Sequence, residues 1–167
     1  MNHQPNRMQR QLGRLNEVPQ FLRPWAQSMV LRRAVPFTGT AGLDFVTLTP
    51  SQVEIAIPNH KRVQNHIGGV HASAMNLLAE TATGMVVGMN VRDDCLPLAK
   101  ELKMAFRRRA TGSLRAVATL TDAQRAAMQG SDKGEVKVAV TVTDETGVNP
   151  VECEFIWAWI PSGPRRS

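Results

Sequence analysis

The chain of 167 residues has no tyrosine, and Trp and Phe together make up only 5% of it. So few rings leave no set of stacking platforms for single-stranded nucleic acid. Cysteine is almost missing too. Cys95 and Cys153 are too few for a disulfide framework and lack metal-ligand spacing, so the sequence predicts a reducing, cytoplasmic setting and no metal. No Gly-rich phosphate loop or dinucleotide fingerprint is present, and no cofactor is expected. Residues 1–20 are dominated by Gln, Asn and Arg and lack the apolar run of a signal peptide. The longest low-charge run, Ile67 to Val91, could span a bilayer by length alone. His71, Asn76, Glu80 and several Thr and Gly interrupt it, so it reads as a core helix with no membrane role.

Acidic residues are outnumbered, 14 against 20 Lys and Arg, for a net charge of +6. That balance favours anionic partners: nucleic acid, an acidic surface or a phosphorylated small molecule. The basic residues are scattered, which makes nucleic acid the weakest of these and a small molecule the expected partner. Hydrophobic content of 43% and charged content of 20% are ordinary for a globular domain. The length fits one domain with a real core. We divide it into a flexible segment at 1–20, a single domain at 21–160 and a tail at 161–167.

Phe21 to Ala34 reads as a helix with Pro24 near its start, broken at Gly39 to Gly42. Strands are expected at Leu43–Leu48 and Gln52–Ile57, joined by Thr49-Pro50-Ser51. In the second, Val53, Ile55 and Ile57 point one way and Glu54 the other. After an irregular loop, a central helix runs from about His71 to about Asn90. Met75, Leu78, Ala79, Ala82, Met85, Val86 and Met89 form its apolar stripe. Ser73, Asn76, Glu80, Thr83 and Gly84 fall on another face. Four further strands follow, at Leu98–Arg108, Leu114–Leu120, Val136–Val142 and Val151–Ile160, with a helical turn at Asp122–Met128. The pattern predicts an α+β fold, a six-stranded antiparallel sheet curled round one long central helix, with an extra N-terminal helix.

From His71 to Asn90 the only formal charge is Glu80. A solitary carboxylate in an uncharged helix is costly to bury unless it has a partner or a task. The plain alternative is a structural ion pair with Lys100 or an Arg.

Asn65, Gly68, His71 and Glu80, in the run Asn65-His66-Ile67-Gly68-Gly69-Val70-His71-Ala72-Ser73, together with Phe106-Arg107-Arg108-Arg109-Ala110-Thr111-Gly112, resemble the motifs of the hotdog-fold thioesterases of the phenylacetic-acid-pathway type and their relatives of unassigned function. The resemblance spans roughly residues 36–160. Four departures stand out. His-Gly-Gly is here His71-Ala72-Ser73, the usual Asp is Glu80, the Pro of the later run is Arg109, and Ala99 falls near the place of a hydroxyl that assists in some relatives.

The resemblance implies an acyl-CoA thioesterase, coenzyme A being part of the substrate. Its catalytic set would be Glu80, Asn65, His71 and Ala72. The Ala72 N–H, in the first helical turn, would hold the developing oxyanion. Glu80 would act as general base or nucleophile, while Asn65 and His71 position the groups. Gly68, Gly69, Ser73, Lys100, Arg107, Arg108 and Arg109 would contact substrate, the arginines gripping phosphates. The bland readings are a helix cap for His71, a turn residue at Asn65 and a solvated strand end for the arginines. Lys100 is odd, because strict alternation puts it on one face with Leu98, Leu102, Met104 and Phe106, where it either snorkels or lines the site.

Glu80 lies eight residues beyond Ala72, about 12 Å along a helix axis. One carbonyl cannot touch both in one chain. A homodimer is therefore expected, with central helices antiparallel as the resemblance implies, two sites per pair, and association of two dimers as a further step. The alternative function is a non-catalytic acyl-CoA-binding hotdog protein. Dehydratase or hydratase signatures are absent.

Overall fold

A computed structural model describes residues 5–163. Residues 1–4 and most of the expected tail, 164–167, lie outside the described residues.

Period-two patterning lays down six strands: β1 (Asp44–Leu48), β2 (Gln52–Ile57), β3 (Cys95–Phe106), β4 (Leu114–Thr119), β5 (Gly134–Asp144) and β6 (Val151–Pro161). They form one sheet in the order β1-β2-β4-β5-β6-β3, with every neighbour antiparallel. Val53, Ile55 and Ile57 of β2 are buried while Glu54 on the other face meets Arg115 of β4. Val136, Val138 and Val142 of β5, and Val151, Phe155, Trp157 and Trp159 of β6, line the same interior.

The sheet wraps α4 (Ala72–Gly88), which packs against β2, β4, β5, β3 and β6. Leu78, Ala79, Ala82 and Val86 are fully buried there. Burying a side chain the size of Leu78 contributes about 1.5–3 kcal/mol. This is the hotdog arrangement. Among the described residues no helix is long and apolar enough to cross a membrane.

Three helices precede the sheet rather than one. α2 (Arg23–Ala34) sits near its expected place, packed on β1. The break expected at Gly39 is instead inside α3 (Pro36–Ala41), which ends at Gly42 with φ +68°. Glycine is needed at Gly39 for space, since a Cβ there would lie 2.9 Å from the Arg32 carbonyl oxygen.

Residues 5–20 also differ from the flexible segment expected of them. Arg7–Gly13 form a helix, α1, followed by a 3₁₀ turn at Arg14–Glu17. Asn6 caps α1 by accepting from the Gln9 N–H, and its amide donates to the carbonyls of Gly88 and Val91. Met8 fills the space left by Gly88. The segment is thereby docked on the end of α4. A fifth helix, α5 (Asp122–Gly130), opens with a Thr121–Gln124 capping box.

β3 departs from strict alternation. Its register against β6 slips between Ala99 and Glu101, leaving Lys100 as the extra residue of a bulge. Cross-strand partners share a face. Leu102, Met104 and Phe106, opposite Phe155, Cys153 and Val151, therefore face α4 with Ala99, opposite Trp157. Leu98, opposite Ala158, turns outward. The common face expected for Leu98, Lys100, Leu102, Met104 and Phe106 is thus divided by one inserted residue.

Candidate active site

The loop ahead of α4 is built by Asn65. Its side-chain oxygen accepts from the N–H groups of Ile67 and Gly69, and its backbone N–H donates to the Gly69 carbonyl. Gly68 supplies the positive φ, +76°, that closes the turn, and Asn59 donates to its carbonyl. His71 then caps α4. Its Nδ1 accepts from the Ser73 N–H at 3.1 Å, and its own N–H is tied to the Val63 carbonyl.

The N–H of Ala72, next in line, finds no acceptor among the described residues. First-turn amides carry the positive end of the helix dipole, so this donor is available to an anion or a polarised carbonyl.

Along α4, Ala72, Ser73, Asn76, Leu77 and Glu80 line an open cleft of about 610 Å³. Ala99, Leu102, Met104 and Phe106 of β3, with Phe37 of α3, complete its lining. Glu80 is half-buried and forms no ion pair among the described residues. The one hydrogen bond to its carboxyl among the described residues is a 3.5 Å contact from the Thr81 hydroxyl. Burial holds its carboxyl above the usual carboxylate range, the Thr81 hydroxyl opposing in part. A proton acceptor of raised affinity in a mostly apolar cleft suits general-base work.

A smaller recess of about 170 Å³ adjoins the cleft, sharing Ala72 and Phe106 with it. Asn65, Gly69, Arg108 and Arg109 line it, and Arg109 donates to the Ile67 carbonyl. Asn65 thus stands beside the arginines, one step from Glu80's cleft.

The fold gathers Glu80, Ala72 and Ser73 in the cleft, and Asn65, Gly69, Arg108 and Arg109 in the recess. Gly68 shapes the loop between them. Lys100 is held elsewhere. The bulge turns it outward to pair with Glu135, so it is neither Glu80's partner nor a cleft residue. Arg107 pairs with Glu152 on the outer sheet face, and its N–H donates to the Pro150 carbonyl.

Three cleft residues had been given no role from sequence: Asn76, Leu77 and Phe37. Asn76 was legible, since it sits four residues from both Ala72 and Glu80 on one helical face. Phe37 reaches the site only through the α2–α3 fold and had no local signal. Neither thiol is poised as a nucleophile. Burial raises Cys153 to about 11 and raises Cys95 as well. No cluster able to hold a metal occurs among the described residues.

Comparison with known proteins agrees with this fold. A Pseudomonas aeruginosa protein of unknown function, described as a probable thioesterase, superposes with a TM-score of 0.74 at 25% identity, covering 81% of this chain and 93% of its own. A Haemophilus influenzae thioesterase gives 0.63 at 14% identity over 78% of this chain and 87% of its own. A Staphylococcus aureus thioesterase gives 0.63 at 17% identity over 76% and 100%. No curated protein matches the sequence. The family model described as a domain of unknown function, DUF4442, matches residues 23–160. With that match covering all six strands but for the last residue of β6, and the central helix, the chain belongs to the DUF4442 family, within the hotdog thioesterase-type superfamily.

Proposed function

We propose that the protein hydrolyses an acyl-CoA thioester at the interface of two copies. The observation that carries this reading is the unpaired, half-buried Glu80 carboxylate in a cleft that also holds the free Ala72 N–H. In the reaction, water adds to the thioester carbonyl carbon as Glu80 takes its proton. Charge develops on the carbonyl oxygen, which the Ala72 N–H stabilises. The carbon–sulfur bond then breaks and the proton passes to the departing sulfur, giving a carboxylic acid and free coenzyme A. Arg108 and Arg109, beside the same helix start, are suited to the phosphates of the coenzyme.

Ala72 and Glu80 are about 12 Å apart along α4. Each site therefore joins Ala72 of one protomer to Glu80 of the other. β3 supports this pairing, because it ends the sheet with an unpaired edge twelve residues long. Leu96, Leu98, Leu102 and Phe106 are all exposed on it. An edge of that length with four large apolar side chains open to solvent can pair with a second copy, though Pro97, Lys100 and Lys103 limit the stretch that does so. Four-subunit assembly and a cytoplasmic location extend the same reading.

A second reading is a protein that binds acyl-CoA without turnover. It is favoured by Ala99, whose methyl lines the cleft near the position where an assisting hydroxyl is expected in some relatives. Thiol release from a panel of acyl-CoA esters, by the native protein and by Glu80→Gln, decides between them. Hydrolysis abolished in Glu80→Gln supports the enzyme. Equal rates remove Glu80 from the mechanism, and saturable binding with no turnover establishes the second reading.

A further inference from the structure

Phe37 stands apart from the rest of the cleft. Every other lining residue comes from α4 or β3, the helix and strand of the core fold, whereas Phe37 comes from the helical layer ahead of the sheet. The residue is 62% exposed in the protomer, so it is open to whatever enters the cleft. It projects beside Leu77, Leu102, Met104 and Phe106, which give the cleft its apolar wall.

The backbone beneath Phe37 is held firmly. The Arg32 guanidinium donates to the Leu43 and Gly42 carbonyls and pairs with Asp44, clamping the end of α2 to the start of β1. α3 is nested between these two elements. The Leu43 N–H donates to the Thr38 carbonyl, and the Thr38 hydroxyl donates to the Val35 carbonyl. Gly39 lies so close to the Arg32 carbonyl that no Cβ fits, and Gly42 ends the helix in the left-handed region against His60. Pro36 fixes φ one residue before Phe37. α3 also touches α4 and the 3₁₀ turn Lys61–Val63 that leads into the Asn65 loop. The backbone that carries Phe37 is thus braced at the edge of the cleft.

We infer that Phe37 is a specificity-determining residue that sets the bulk of the acyl group the cleft admits. The inference rests on the proposed acyl-CoA reading and adds to it the element that selects the acyl portion. Because the ring is exposed and makes no hydrogen bond, shortening it leaves the core untouched. Space vacated by the ring becomes space for substrate. One methylene in an apolar site is worth roughly tenfold or more in selectivity, and a phenyl ring spans several.

The test measures kcat/KM for a straight-chain series from acetyl-CoA to palmitoyl-CoA and for branched esters. Phe37→Ala should raise the ratio of bulky to small substrates by about tenfold or more, and Phe37→Trp should lower it. A merely structural role would change all esters in proportion and give no reversal between the two variants. The same series is run as binding to Glu80→Gln protein, with and without the Phe37 change. A binding profile that shifts while the native protein turns nothing over leaves this inference standing and removes the hydrolase. Turnover whose profile is unchanged in both variants overturns the role of Phe37 and leaves the hydrolase intact. If no ester is bound or cleaved, both fall.

Discussion

The Trp157 indole N–H donates to the Thr83 hydroxyl at 3.0 Å, and the same ring covers the face of Gly84. The Thr83 hydroxyl in turn donates to the carbonyls of Ala79 and Glu80. One side chain of β6 is thereby locked to the turn of α4 that carries the candidate base.

This contact makes Gly84 a packing requirement. A Cβ there would stand 2.7 Å from the Trp157 ring, which its hydrogen bond prevents from swinging away. Gly84→Ala gains about 1 kcal/mol of helix propensity and loses about 1–3 kcal/mol to overpacking. The expected outcome is a less stable protein with a lower Tm, measured by thermal and urea denaturation. A Tm equal to or above the native value would show that the ring moves freely.

Asn6 offers a second stability test. It caps α1 and also joins that helix to the carbonyls of Gly88 and Val91. Asn6→Ala should cost about 1–2 kcal/mol. The loss should be local, read as faster amide hydrogen exchange across Arg7–Gly13 while β4 and β5 keep their protection. Uniform loss of protection would mean that α1 is integral to global folding.

The sheet and the central helix were legible in the sequence because their burial is periodic. Val53, Ile55 and Ile57, or Val136 and Val138, needed only period-two counting to be placed. The docked N-terminal helix was not legible, because its anchors are scattered one-off contacts (Asn6 to the Gly88 and Val91 carbonyls, Gln9 to the Met89 carbonyl, Arg10 to Asp93 and Met8 against Gly88) that form no periodic pattern. The reversal within β3 was hidden for a different reason. One unpaired residue, Lys100, inverts the parity of everything before it, and no composition marks it. The candidate site was half legible. A lone acid, a loop and a helix start are local features. Phe37 joins the cleft only once α3 packs beside α4.

Glu80 makes a pH prediction with a definite sign. General-base action needs the carboxylate, and burial raises its proton affinity in the folded state. The acid limb of kcat/KM should therefore lie at higher pH than for an ordinary carboxyl. The same shift acts on stability. Where the folded pKa exceeds the unfolded one, the native state binds more protons, so the group's contribution is fully present below the unfolded pKa and is lost as pH rises through the folded pKa. Glu80→Gln should then raise Tm at neutral pH while removing activity, and the gain should vanish below the ordinary carboxylate range. A Tm that falls at neutral pH would show that the charged form has a partner in the assembled protein.

The two-protomer site can be tested by complementation, because its halves can be removed separately. Ala72→Pro deletes the oxyanion donor while keeping a residue suited to the first helical position. His71 before it already has the extended ψ of 144° that a following proline prefers. Alone, this variant should lose about 10²–10³ in kcat with its fold intact. Glu80→Gln alone should be inactive as well. In a mixed dimer one site carries both lesions and the other carries neither. Random pairing on co-expression makes half the dimers mixed, with one good site in two, so about a quarter of native activity should return. A site assembled within one chain would have a lesion in every copy, and the mixture would stay as inactive as its parts.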